Sequence, residues 1–109
     1  MGVTKIRTKD PNDDKLMEIC REETSSTCTR IKWTTHQDVD TIIPPDGTVA
    51  IVVDVRDIKA AIRIFAKQDD DYIDGVGTEA AGHLVVVPWQ SSWFYHCTGT
   101  PRVGHVAGG

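Results

Sequence analysis

The stretch Thr48-Val49-Ala50-Ile51-Val52-Val53-Asp54-Val55 decides the fold class. It is rich in β-branched residues, and only Thr48 and Asp54 are polar. A near-continuous apolar run of this kind reads as a central strand. Pro44-Pro45-Asp46-Gly47, just before it, is a turn by its chemistry. The segment from Ile58 to Lys67, just after it, fits two periods. Ile58, Ala60, Ile62 and Ile64 alternate as in a strand, whereas Ile58, Ala61, Ile62 and Phe65 match a helix capped by Asp57. The central cluster of β-branched residues favours the strand.

Upstream, Thr29, Ile31, Trp33 and Thr35 alternate with Arg30, Lys32 and Thr34, the pattern of a half-buried strand. Val3 to Arg7 reads as a short strand. Between them, Asp10-Pro11 reads as a helix start, with Asp10 as the cap. Asp13 and Asp14 fall in the first turn, where the helix dipole favours negative charge. Leu16, Ile19 and Cys20 form the expected buried stripe, and Thr24-Ser25-Ser26-Thr27 ends the helix.

Downstream, Gln68 to Thr78 reads as a polar, acidic loop. It does not suit a calcium site, because Tyr72 and Ala81 stand where ligands are needed. Leu84 to Val87 and Trp93 to Cys97 read as two strands of a hairpin, joined through Pro88-Trp89-Gln90-Ser91-Ser92. Val103 to Gly109 is the tail. The expected architecture is α+β: a small six-stranded, mostly antiparallel β-barrel with one amphipathic α-helix at its end. Ile31, Trp33, Val49, Ile51, Val53, Ile62, Ile64, Leu84, Val86 and Phe94 are expected to share one core.

The 109 residues suit a single domain, residues 1–109, and leave no room for a two-lobed enzyme. With 39% hydrophobic and 26% charged residues, the composition is that of a globular chain. No apolar run approaches the ~20 residues of a membrane span, and the N-terminus lacks a signal-peptide core. This implies a soluble protein made in a cytoplasm. Gly2 loosely suits myristoylation, but Ile6 stands where Ser or Thr is wanted. A net charge of −4 argues against binding nucleic acid by bulk charge. Cys20, Cys28 and Cys97 are odd in number and form no Cys-x-x-Cys, so they read as reduced, buried thiols.

Candidate chemistry is sparse. Cys97 follows His96, but neighbours in a strand point to opposite faces. No nucleophile elbow or phosphate-binding loop is present, so neither catalysis nor a cofactor is expected. Phe94-Tyr95-His96-Cys97-Thr98, with His105 beyond, resembles the copper loop of cupredoxins. Lys32-Trp33-Thr34-Thr35 followed by Asp38-Val39 resembles their earlier strand. Asp40 stands near the place of the first His, however, and no Met follows His105, so no tightly bound metal is expected. The tail Val106-Ala107-Gly108-Gly109 suits either a ubiquitin-like modifier or a protease cleavage product. The modifier reading is weakened by topology, since a β-grasp fold needs a hairpin before its helix.

Length, order of elements and terminus together resemble the first non-structural protein of alphacoronaviruses. In that family a short strand, an amphipathic helix and the remaining strands form a six-stranded barrel. Lys15 to Glu23 takes the helix, Cys28 to Trp33 the next strand, and Thr48 to Val55 and Ile58 to Lys67 the middle strands. Gly82-His83-Leu84-Val85 is similar to the segment that opens the last hairpin. The likeness lies in pattern, and the segment Tyr72 to Ala81 is longer than the family's loop.

The resemblance implies a non-enzymatic, monomeric viral effector. Such a protein suppresses host gene expression, chiefly translation, and antagonises interferon signalling. Its partners would be host proteins of the translation or innate-immune machinery, met in the host cytoplasm and also the nucleus. A viral papain-like protease would release it by cutting after Gly109. Family positions tied to activity fall on Val87, Pro88, Trp89, Gln90 and Ser91, and on Trp33, Gly82 and Trp93. Trp89 at a polar tip has the composition of an interaction hot spot, unless it folds back as a lid. Trp33 and Trp93 also suit core packing, and Gly82 a backbone requirement.

Overall fold

In chain order the elements are β1 (Ile6–Thr8), α1 (Asp13–Thr24), β2 (Cys28–Thr35), β3 (Thr48–Asp54), β4 (Ala61–Ala66), β5 (Tyr72–Val76), β6 (Leu84–Pro88), β7 (Trp93–Thr98) and β8 (Arg102–Gly108). They come from a computed structural model that describes residues 3–56, 60–77 and 82–108. Asp57, Ile58 and Lys59, with Ala81 and Gly109, lie outside the described residues, so the expectations that fall there stand apart.

The apolar run is indeed central. β3 is the third of five strands in an antiparallel sheet of order β1-β6-β3-β8-β2. Its alternate side chains feed two separate cores. Ala50 and Val52, with Leu84, Val86 and Val106, pack under Leu16 and Cys20 of α1. Ile51, Val53 and Val55, with Val85, Val87 and Val103, pack against Ile62, Ile64, Tyr95 and Cys97 of a second antiparallel sheet, β5-β4-β7. Both faces of β3 are covered, so neither face of its sequence tolerates polar residues. The single expected core is therefore two, split by the five-stranded sheet. Phe94 belongs to neither; on the outer side of β7 it stacks on Phe65 at 5.4 Å.

The α+β class, the antiparallel pairing and, among the described residues, the single helix agree with the expectation. Among the described residues the strands number eight in two sheets instead of six in a closed barrel. The two extra strands are those whose composition hid them. β5 lies in the expected acidic loop and carries Asp74 and Gly75 in its interior. β8 lies in the expected tail and carries Gly104 and Gly108.

Gly104 is required by packing. A Cβ there would sit 2.6 Å from Ile31 Cγ2 and 3.2 Å from two atoms of the Trp33 ring. Gly104→Ala should therefore lower stability by about 1–3 kcal/mol, the usual range for overpacking, read from the denaturant midpoint at unchanged slope.

The Leu84–Pro88 and Trp93–Thr98 strands do not form the expected hairpin. β6 pairs with β1 and β3, whereas β7 pairs with β4. Residues 89–92 carry the chain from one layer to the other, and Trp89 N–H donates to Val49 O at 3.0 Å. At the helix, the cap is Asn12 and not Asp10. Asn12 Oδ1 accepts from Asp14 N at 2.9 Å and Lys15 N at 3.3 Å, and Asp10 Oδ1 accepts from Asn12 N one step earlier. Among the described residues no helix is long and apolar enough to cross a membrane.

Candidate functional site

The crossing segment after β6 is where the sequence-predicted site residues converge. Trp89 is 8% exposed, so it lies against the body of the domain and does not stand on a tip. Its edge meets Trp93 at 5.4 Å and Tyr95 at 5.7 Å, both near right angles. The lid arrangement prevails because the segment turns tightly between the layers. Trp93 N–H donates to Gln90 O at 3.1 Å, and Lys67 N–H donates to Ser92 O at 2.8 Å. That turn presses the indole of Trp89 onto the open end of the intersheet core.

Two clefts meet at Trp89. One, of about 230 Å³, has Trp93 and Pro44-Pro45 in its walls, with Lys67 and Asp46 also lining it. The other, of about 490 Å³, is lined by Pro88, Gln90, Thr24 and Glu23 among others. Gly47, Thr48, Trp89 and Ser91 line both. The Pro44–Gly47 turn, read from sequence only as a turn, thus supplies an opposing wall. Glu23, Thr24 and Lys67 also belong to these walls; nothing in their local pattern marked them, because strand pairing and helix placement bring them there.

The other predicted residues scatter. Val87 is fully buried in the intersheet core, so it cannot be a contact residue in the folded state. Trp33 lies on the helix side of the large sheet, where Nε1–H donates to Asp13 Oδ1 and Arg102 sits 4.3 Å over the ring. Gly82 has φ +86° before β6, at the opposite end of that strand from Trp89. Val106, Ala107 and Gly108 form an interior strand between β3 and β2, not a free tail.

The cupredoxin-like residues are not gathered. Cys97 is buried facing inward, while His96 lies 3.9 Å from the exposed Asp40. His105 is committed elsewhere: its Nε2 is 2.6 Å from the Tyr95 hydroxyl, which is also 3.1 Å from His36 Nε2. Among the described residues, no three His, Cys, Asp or Glu side chains cluster at metal-binding distance. Burial pushes the thiols of Cys20 and Cys97 up to about 12, so both stay protonated and poorly nucleophilic.

The His36–Tyr95–His105 chain ties the two sheets together and titrates. Burial, then His36 and Lys32, push His105 down to about 4, and burial lowers His36. The hydroxyl has one proton, so it donates to one ring nitrogen and accepts from the other when both rings are neutral. A depressed folded-state pKa means that the unfolded chain binds more protons. This stabilisation is complete above about pH 6.5 and is lost as pH falls toward 4. Between pH 7 and pH 5 the loss should be on the order of 1 kcal/mol, allowing for partial exposure, or roughly 5 °C in Tm. His105→Gln should flatten this part of the Tm–pH curve.

No protein-family model matches the chain, and no curated protein or solved structure is significantly similar to it.

Proposed function

We propose that this chain is a non-enzymatic effector of the kind found as the first non-structural protein of alphacoronaviruses. It acts by binding host proteins of the translation or innate-immune machinery in the host cytoplasm or nucleus, and so lowers host gene expression and interferon signalling. The observation that carries the binding part is the paired cleft at Trp89. It is walled by four members of the predicted effector segment, Pro88, Trp89, Gln90 and Ser91. The viral part is supported by the order of elements, a short strand, an amphipathic helix and then antiparallel strands.

Cleavage after Gly109 by a papain-like protease would require residues 106–109 in extended, accessible form. Because Val106 and Ala107 pair on both sides in the folded sheet and Gly108 pairs with Cys28, that cut would belong to a stage before β8 docks. A reporter assay tests the function. Expression in mammalian cells should lower the output of a co-expressed reporter and blunt interferon induction. Unchanged reporter output and interferon induction would overturn the reading.

A further inference from the structure

The edge of a β-sheet presents a row of unpaired N–H and C=O groups, and folded chains blunt such edges with short strands, covering segments or charged side chains. Among the described residues, three of the four edges of the two sheets are closed in this way. β1 is only three residues long. At β5, Gly75 N–H donates to Asp74 Oδ1 at 2.8 Å, and Gly75 O accepts from Lys5 Nζ at 3.1 Å. At β7, Ile42 exchanges both backbone bonds with Tyr95, at 2.8 and 3.0 Å, and Val39 O accepts from Cys97 N–H at 2.8 Å. β2 is the exception. With eight residues it is the longest strand among the described residues, and its one strand partner there is β8.

From Arg30 to Thr35 the register against β8 is regular, and the segment contains neither proline nor glycine. In such a strand half of the backbone groups point away from the single neighbour. Among the described residues nothing bonds to them. Arg30 and Lys32 are exposed on one face of β2, while Ile31 and Trp33 pack toward α1 on the other. Opposite the two cations on β8 stand Ala107 and His105, which bring no carboxylate. Neither Arg30 nor Lys32 has an ion pair among the described residues. The one open edge of an acidic chain is therefore locally basic.

We infer that the free edge of β2 binds an extended, acidic segment of a partner protein as an added strand. Backbone bonds along Arg30 to Thr35 hold the segment, and Asp or Glu at every second position meets Arg30 and Lys32. A helix cannot take this place, because its own backbone groups are already bonded to each other. A second copy fits badly. An antiparallel pair of β2 strands across a two-fold axis gathers four cations on one face of the joint sheet. The lining of the clefts at Trp89 includes no residue of β2, so this is a second surface, independent of the effector reading.

Calorimetry with defined peptides tests this. One peptide, matched to β2 in length, alternates glutamate with valine, and a second replaces each glutamate by lysine. The first should bind about tenfold more tightly than the second. Two further versions of the first peptide carry N-methyl groups on alternate amides, one version in each phase. Methylation removes the donors along one edge of the peptide, so one phase should abolish binding and the other should leave it intact. Arg30→Glu with Lys32→Glu changes two exposed positions, so the variant should melt near the parent and prefer the lysine peptide. No binding of the glutamate peptide at about 1 mM would overturn the inference. Equal affinity for the two charges, or for the two methylation phases, would overturn it too. Sedimentation of the parent should give a monomer. A dimer that the glutamate peptide dissociates would assign the edge to a second copy instead. An oligouridine that binds the same two cations more tightly than the glutamate peptide would assign them to a nucleic acid, and the added strand would fall.

Discussion

Val53→Asp should abolish the cooperative melt. Val53 has no exposed surface and lies between the two sheets, among Ile51, Val85, Val103 and Tyr95. Among the described residues no cation lies in that core, so a carboxylate there must either stay ionised without a partner or take up a proton. Either state costs several kcal/mol, against a total stability of about 5–15 kcal/mol for a domain of this class. Circular dichroism on heating reads the result directly. A sharp transition near the parent's temperature would mean that β3 does not separate two cores.

Trp89→Ala should cost about 3–5 kcal/mol, the range for removing a large buried aromatic side chain. The indole closes the end of the intersheet core and meets both Trp93 and Tyr95 edge-on. Its removal opens a cavity that the surrounding strands cannot fill by small shifts. The denaturant midpoint should fall at unchanged slope. A loss under about 1 kcal/mol would place Trp89 on the surface, as its polar neighbours in the sequence suggest. Trp89→Ala is therefore a poor probe of function, because loss of fold and loss of contact would look alike.

That contrast shows what the sequence makes legible. β3 and β6 could be read from composition because burial on two faces leaves an unmixed apolar run. The helix could be read because its stripe and acidic first turn are local. β5 and β8 could not. Gly104 serves a close approach to Ile31 and Trp33, a contact made across strands and not along them. The β6–β7 connection looks like a hairpin because alternation within each strand says nothing about which sheet it joins. The predicted effector segment was half legible: Trp89, Gln90, Ser91 and Trp93 do meet at one place. The opposing wall from Pro44 to Thr48, and Glu23 on α1, are distant in sequence and arrive only through the fold.

The measurement that bears most directly on the effector surface is reporter output from a variant that changes the clefts at Trp89 but not the core. Gln90 and Ser91 are both exposed and line the larger cleft. Gln90→Arg with Ser91→Arg places two long cations over it, and surface changes of this kind usually stay within about 0.5 kcal/mol. The double variant should melt with the parent, accumulate to the same level in cells and relieve most of the repression. Repression as strong as the parent's, from a double variant with an unchanged melt, would contradict the assignment of the clefts at Trp89 as the surface that acts.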